Sequence, residues 1–240
     1  MESKRARLDR FISSKTGMSR RDVRPILARG EITIDGNKAT DINQLVDEFT
    51  HVTLNSKLIQ SKRPRYIMMN KPTGVVSATK DNTHQTVVDL LKRKESTGLH
   101  IVGRLDFNTS GLLLLTNDGR WSRRLSSPES KIAKLYRVVL EKPMTTDYVK
   151  AFAKGMYFNY EGITTKPAKL EIIDEYTAKI SLIEGRYHQI KRMFGRFQNR
   201  VVKLHRLAVG NLSLDQKLAS GEYRTLKEIE VKTITKGVSS

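Results

Sequence analysis

The chain has 240 residues, with 44 lysines and arginines against 25 acidic residues, a formal net charge of +19 and no cysteine. This length provides one large domain, or a small domain and a medium-sized one, and the lack of cysteine excludes disulfides, thiolate metal sites and cysteine nucleophiles. The excess of positive charge favours a polyanionic partner. Nucleic acid fits better than acidic lipid, because no apolar stretch approaches the length of a membrane span and no basic amphipathic helix stands out. We expect a cytoplasmic protein without a signal peptide.

Two short helices are predicted near the N-terminus. The first carries apolar residues at helical spacing and stops at a Thr-Gly break; these residues are Leu8, Phe11, Ile12, Thr16 and Gly17. The second begins at Ser19, with Asp22 in the place of a capping-box acid, and ends at Gly30. Pro25 lies inside it and removes a backbone hydrogen bond, which predicts a short or kinked helix.

A strand and an Asp-Gly hairpin turn are predicted over residues 32–37, and another strand over residues 52–54. Residues 1–30 contain nine lysines and arginines and three acids. Such a helix pair is often only a solvated surface, but its one-sided charge favours a face that contacts phosphate.

Residues 1–60 resemble the small RNA-binding domain named after the fourth small-subunit ribosomal protein. The matching stretches are residues 7–12, 19–21 and 30–36. The resemblance implies docking on structured RNA rather than catalysis. The RNA-binding residues that it implies are Arg7, Arg10, Ser19, Arg20, Arg21 and Arg24.

A larger domain is predicted over residues 66–232, after a polar and basic linker over residues 61–65 and before a disordered tail over residues 233–240. Strands are predicted over residues 66–70, 75–77, 99–102, 111–115, 135–140, 168–173, 179–183 and 201–204, and helices over residues 86–94 and 146–154. The expected fold is α+β: a small N-terminal α/β RNA-binding module and a larger catalytic domain on a mixed, mainly antiparallel sheet with flanking helices.

The turn Gly103-Arg104-Leu105-Asp106 is the strongest candidate for a reactive site. It places a carboxylate beside a guanidinium where a strand ends, and a loop that is held by a sheet and open to solvent suits a reactive group. A cation there would keep Asp106 ionised, so that it could act as a nucleophile. The alternative is a surface ion pair between Arg104 and Asp106.

A second basic stretch runs over residues 185–194, and seven lysines and arginines occur between Arg186 and Arg206 without an acid. On a helix, Ile190 and Phe194 share one face while Lys191 points elsewhere, so that packing and presentation of a cation coexist. A basic surface helix explains the pattern equally well. The histidines of this region lack the company of a ligand set, and no metal site is predicted.

These stretches together resemble the pseudouridine synthases of ribosomal RNA, in the branch named for the small-subunit enzyme. The matching stretches are residues 70–74, 103–106, 109–112, 134–136 and 185–194, in the order of the family. Residues 165–168, 187–194 and 221–224 resemble the small-subunit enzyme more than its large-subunit relatives.

The resemblance implies isomerisation of a specific uridine to pseudouridine in small-subunit ribosomal RNA, without a cofactor. It makes Asp106 the nucleophile, Tyr136 the residue that stacks on the base and accepts a proton, and Lys191 and Arg104 the cations. Whether Asp106 attacks the base or the sugar carbon stays open. The substrate-binding residues that it implies are Gly103, Leu105, Gly185, Arg186, Ile190 and Arg192.

Two alternatives remain. The chain could be a large-subunit pseudouridine synthase, with the same chemistry and another target, or a non-catalytic RNA-binding assembly factor, which would not need Asp106, Tyr136 or Lys191. The expected partner is ribosomal RNA, together with early-binding ribosomal proteins in an assembly intermediate, and we expect a monomer that does not associate with membranes.

Overall fold

The chain divides after Pro64 into two units in the computed structural model, which describes residues 5–235. Within the N-terminal unit, strands β3, β2, β5 and β6 form an antiparallel sheet in that order, and β1 pairs with β4. The elements of this unit are β1 (Ala6–Arg7), α1 (Leu8–Thr16), α2 (Arg20–Ala28), β2 (Ile32–Ile34), β3 (Asn37–Lys38), β4 (Leu45–Val46), β5 (Val52–Leu54) and β6 (Lys57–Gln60).

Local residue choices explain the ends of these elements. The hydroxyl of Ser19 accepts a hydrogen bond from the Asp22 N–H at 3.3 Å, which caps the start of α2. Helix α2 contains Pro25 and spans only nine residues. Asp35 and Gly36 both have a positive φ, as the two-residue hairpin turn requires. The predicted short second helix and the Asp-Gly hairpin are confirmed.

The C-terminal unit is built on one nine-stranded sheet. Its elements are β7 (Tyr66–Lys71), α3 (Arg93–Ser96), β8 (His100–Val102), β9 (Ser110–Thr116), α4 (Gly119–Ser126), β10 (Lys134–Leu140), α5 (Asp147–Lys154), β11 (Tyr157–Phe158), β12 (Ile163–Thr164), β13 (Lys169–Ile172), β14 (Thr177–Leu182), α6 (Gln189–Gly195), β15 (Val201–Val209), β16 (Leu212–Ser213), β17 (Tyr223–Thr225) and α7 (Glu228–Thr233).

The main path of this sheet runs β13-β14-β10-β15-β9-β7-β17, with β16 beside β15 and β8 beside β9. Within residues 65–235, the β9–β15 pairing is parallel and the other pairings of the sheet are antiparallel. Helix α5 packs against β13, and α4 packs against β8. The predicted α+β class, with a mixed, mainly antiparallel sheet and flanking helices, is confirmed.

Both faces of the sheet centre are buried. Side chains alternate between the two faces of a strand, so Leu113 and Leu115 pack in one apolar cluster with Met69. Leu112 and Leu114 pack in the other cluster, on the opposite face. This double burial explains the uninterrupted apolar run of β9, which a half-exposed strand would not carry.

Three predictions of local structure are wrong. Residues 86–94 do not form a helix, because the side chains of Thr86 and Asp89 bond each other's backbone N–H groups in a single turn, and the helical segment starts only at Arg93. Residues 75–77 make one isolated bridge rather than a strand. The predicted tail starts too early, since Thr233 ends α7 and Ile234 is buried. Residues 236–240 lie outside the described part of the chain.

Within residues 5–235, none of the helices has the length and apolar character needed to cross a bilayer.

Candidate active site

The turn between β8 and β9 is held in place from several sides. Gly103 has φ +70, and its carbonyl oxygen accepts a hydrogen bond from Arg206 Nη2 at 2.8 Å. The backbone N–H and carbonyl of Leu105 both bond the hydroxyl of Ser77, at 3.1 and 2.7 Å. The side chain of Leu105 is buried, while that of Asp106 is one-third exposed. The turn therefore offers a carboxylate to solvent from a fixed backbone.

Lys71 holds the backbone of the same turn through its ammonium group, a role that the sequence analysis missed. Its side chain is fully buried, and Nζ donates to the carbonyl oxygens of Pro72, Asp106 and Thr109 at 2.9, 3.2 and 2.9 Å. Burial lowers the pKa of Lys71 to about 8, with repulsion from Arg206 in the same direction and attraction by Asp106 against it. A lysine at the end of the apolar strand β7 was the available signal.

Two side chains from the start of α6 face the Asp106 carboxylate. Lys191 Nζ lies 3.4 Å and His188 Nε2 lies 3.5 Å from Asp106 Oδ2. His188 adopts the left-handed conformation, with φ +48, just before α6 begins. The sequence analysis rejected the histidines of this region as metal ligands and gave His188 no part at Asp106, so this approach is a second feature that it missed.

The buried face of α6 explains why the side chain of Lys191 points toward Asp106. Ile190 and Phe194 are buried in the main apolar cluster of the unit, as predicted from their spacing. Gln189 is also buried, and its amide donates to Glu184 Oε1 at 2.6 Å. Because the buried face fixes the rotation of the helix, Lys191 points into the cleft that contains Asp106.

Nine of the ten predicted catalytic and substrate-binding residues line one continuous depression. It consists of a cleft of about 680 Å³, which we call the catalytic cleft, and an adjoining recess of about 100 Å³. Asp106 and Tyr136 line both, and Ile190 and Lys191 line the recess. The other predicted residues in this depression are Gly103, Arg104, Leu105, Gly185 and Arg186.

Arg192 is the exception. Its guanidinium makes a bidentate ion pair with Glu161 and lies over the ring of Phe158, with Cζ 3.8 Å from the ring centroid. Both contacts are made to the hairpin of β11 and β12, outside the catalytic cleft. Arg192 therefore ties this hairpin to α6 and does not line the catalytic cleft or its recess, and its part in substrate binding stays a prediction.

The surroundings of Arg104 also differ from the expected contact with Asp106. It lines the catalytic cleft and is exposed, but among the described residues Lys191 and His188, not Arg104, pair with the Asp106 carboxylate. Arg186 lines the cleft and pairs with Glu184 at 3.2 Å. The surface ion pair between Arg104 and Asp106, considered from the sequence, is not formed.

Five of the six predicted RNA-binding residues of the N-terminal unit are arginines that fall into two groups, and the sixth, Ser19, caps α2. Arg7 and Arg20 both bond the buried carboxylate of Asp9, at 3.2 and 2.9 Å. Burial opposes the ionisation of Asp9, but these hydrogen bonds and charges hold its pKa below the ordinary value. The second group is exposed on α1 and α2 without an ion pair in the described chain and consists of Arg10, Arg21 and Arg24.

Comparison with known proteins decides the family of this site. The model of the RNA pseudouridylate synthase family matches residues 65–196, which contain the Asp106 turn, Tyr136 and Lys191. The chain belongs to the RNA pseudouridylate synthase family. It is therefore an RNA-modifying isomerase.

Relatives of this family match almost the whole chain. The ribosomal small subunit pseudouridine synthase A of Pseudomonas aeruginosa is 47% identical and that of Escherichia coli 42% identical, over 94% and 95% of this chain and 98% and 99% of theirs. A solved pseudouridylate synthase superposes with a TM-score of 0.70 at 36% identity, covering 95% of this chain and 99% of its own. Each of these related proteins therefore contains counterparts of both units of this pseudouridylate synthase.

Proposed function

We propose that the chain isomerises a specific uridine of small-subunit ribosomal RNA to pseudouridine, with Asp106 as the nucleophile. The observation that carries the proposal is the contact of Asp106 Oδ2 with Lys191 Nζ at 3.4 Å, in a cleft that Tyr136 also lines. The names and the near-complete coverage of the two bacterial relatives support the choice of the small subunit.

The reaction needs little more than these groups. The bond between N1 of uracil and C1′ of ribose breaks, the base turns, and a bond forms between C5 and C1′, while a proton leaves C5 and N1 gains one. No electron is gained or lost overall. Asp106 forms and releases the covalent link that holds the base or the sugar, and its attack on either one is consistent with its exposure.

The neighbours of Asp106 take defined parts in this reaction. Lys191 and His188 stabilise negative charge on the carboxylate when it leaves the intermediate. The ring of Tyr136 stacks on the uracil, and its hydroxyl oxygen accepts the C5 proton while the hydroxyl proton passes to water. Ile190 is an apolar wall of the recess that excludes water from the intermediate.

A uridine can enter the cleft only after its base has been extruded from the stack of neighbouring bases. Extrusion of a stacked base costs roughly a few kcal/mol, which contacts to the RNA backbone must offset. The N-terminal unit supplies such contacts through Arg10, Arg21 and Arg24, in the manner of the ribosomal-protein module that it resembles. The favoured substrate is ribosomal RNA in an assembly intermediate with early-binding ribosomal proteins, and the enzyme acts there as a cytoplasmic monomer.

Two other functions make different predictions. A non-catalytic assembly factor has no use for a carboxylate that faces a lysine beside a tyrosine in a cleft, so the convergence of Asp106, Lys191 and Tyr136 favours the enzyme. A large-subunit synthase would contain the same catalytic groups. Only the position of the product separates that alternative from our proposal.

Mapping pseudouridine in both ribosomal RNAs tests the target. Cells with and without the protein are compared, and cells that express the Asp106→Asn variant serve as the matched control. We expect one small-subunit position to lose its pseudouridine in the deletion and in the control. A loss confined to large-subunit RNA would refute the assignment, and an unchanged pattern in both RNAs would refute the activity on ribosomal RNA.

A further inference from the structure

The wall of the catalytic cleft beside Tyr136 carries two cations that the reaction described above does not use. Lys134 lies two residues before Tyr136 on β10, on the same face of the strand, and Arg206 lies opposite Tyr136 on β15. A β-bulge separates this pair from the preceding one, and bulges redirect side chains beside functional sites. Arg206 Cζ lies 6.0 Å from the centroid of the Tyr136 ring.

These two cations lack the carboxylate partners that buried charges usually have. Arg206 is only 2% exposed, and its Nε and Nη2 donate to the backbone oxygens of Leu112 and Gly103 at 2.7 and 2.8 Å. Within residues 5–235, neither Arg206 nor Lys134 pairs with an acid. Burial and repulsion by Arg206 lower the pKa of Lys134 below its ordinary value. Two neighbouring charges without a partner are costly unless an anion joins them.

The acids of the same cleft are already engaged. Glu184 accepts hydrogen bonds from Gln189 and from the backbone of Lys166 and pairs with Arg186. Asp106 faces α6 rather than this wall. Among residues 5–235, the acids that line the cleft are therefore not available to Lys134 and Arg206, which leaves room for an anion of the substrate.

RNA supplies an anion at the required place. A nucleotide that is extruded turns about its own backbone, so its flanking phosphates stay within one nucleotide of the base that enters the site. We propose that Lys134 and Arg206 form a phosphate-binding subsite of the catalytic cleft, which holds a backbone phosphate adjacent to the target uridine. This inference rests on the proposed function, because the phosphate belongs to the RNA whose uridine is isomerised.

Salt-dependent binding tests the subsite. All variants carry Asp106→Asn, so that no turnover occurs, and the RNA is the fragment that contains the mapped uridine, from whichever subunit it comes. Lys134→Gln should weaken binding and lower the log–log salt slope by about 0.7 to 0.9, the loss of one phosphate contact. Lys134→Arg keeps the charge and should keep the slope. Thermal unfolding of each variant checks that it is folded.

Neutral linkages in the RNA locate the contact. A methylphosphonate at the phosphate on one side of the target uridine should weaken binding of the parent protein, and it should weaken binding of the Lys134→Gln variant less, because only Arg206 remains to contact that phosphate. Lys203→Gln is the matched control, because Lys203 is an exposed lysine of β15 that does not line the cleft. That control should remain sensitive to the same methylphosphonate.

Two results would overturn the subsite. One is a Lys134→Gln variant with the parent salt slope and the parent sensitivity to neutral linkages on both sides of the uridine. The other is a Lys134→Gln enzyme, with Asp106 restored, that loses turnover while the salt slope stays unchanged, which would assign the lysine to the base instead. Neither result depends on which ribosomal subunit provides the target, so failure of the subsite is distinct from failure of the proposed function.

Discussion

The buried ammonium group of Lys71 lies 3.2 Å from the backbone carbonyl oxygen of Asp106, whose side chain is one-third exposed. The lysine contacts the backbone of the residue and not its carboxylate, so the two ends of Asp106 are held by different cations. Lys71 acts as a positioning residue, and the pair Lys191 and His188 faces the carboxylate.

Asp106→Asn should abolish isomerisation with little loss of RNA affinity. The amide keeps the shape of the side chain but is a far poorer nucleophile, so turnover should fall by about 10³-fold or more while binding stays close to that of the parent enzyme. Single-turnover assays and a binding titration on the same RNA measure the two effects. Appreciable product from the purified variant would exclude Asp106 as the nucleophile.

Lys71→Met should destabilise the protein and slow turnover. The change leaves three backbone oxygens without their donor, and we expect the free energy of unfolding to fall by about 1–3 kcal/mol. Denaturant unfolding measures the loss, and Lys169→Met, at an exposed lysine of β13, is the control. A variant with full stability and full turnover would show that Lys71 does not position the turn.

The same lysine predicts a pH dependence of stability. Its pKa in the folded protein is about 8, below the ordinary value of 10.5, so between these values the unfolded chain binds more protons. The free energy of unfolding attributable to Lys71 should therefore rise as the pH increases from about 8 to 10.5. The difference in stability between the parent protein and Lys71→Met isolates this contribution, and a flat difference across the window would contradict it.

Arg192→Gln and Glu161→Gln should act on the same interaction. Each single change should lower the free energy of unfolding by about 0.5–1 kcal/mol, and the double variant should lose less than the sum. The salt slope of RNA binding should stay unchanged in Arg192→Gln, because its guanidinium is already paired. A slope that falls by one phosphate contact would instead show that Arg192 binds the RNA substrate.

Replacement of Arg10, Arg21 and Arg24 by glutamine should weaken RNA capture. Each lost phosphate contact should lower the log–log salt slope by about 0.7 to 0.9, and saturated turnover should change less than affinity. Lys57→Gln, at an exposed lysine of β6 outside α1 and α2, is the control. An unchanged slope in the triple variant would show that this face is only a solvated surface.

Local sequence patterns predicted the parts of the fold that local physics determines. The apolar run of β9, the spacing of Ile190 and Phe194 on α6 and the Asp-Gly hairpin all have short-range causes. The helix α4 was missed, because Asp118-Gly119 has the composition of a turn although Asp118 caps the helix. Its buried Trp121 and Leu125, four residues apart, were the unused signal.

The sequence predicted which residues meet in the cleft, but it did not predict which partners those residues contact. Asp106, Tyr136 and Lys191 stand in motifs that the sequence displays, whereas the partners of each depend on how distant strands meet. The pairing of Arg192 with Glu161 joins residues 31 positions apart, and Lys71 contacts a turn 35 residues away. Periodicity in the sequence does not reveal contacts between residues so far apart along the chain.

The parallel pairing of β9 with β15 has a consequence for the order in which the molecule assembles. It joins Ser110 to His205 and Gly111 to Arg206, and a side chain at Gly111 would come within 2.3 Å of the Arg206 backbone oxygen. Contacts between such distant positions carry a high cost of loop closure and form late in folding. We therefore expect that a nascent chain acquires its catalytic wall only after β15 has left the ribosome, so that newly made protein stays inactive until synthesis is almost complete.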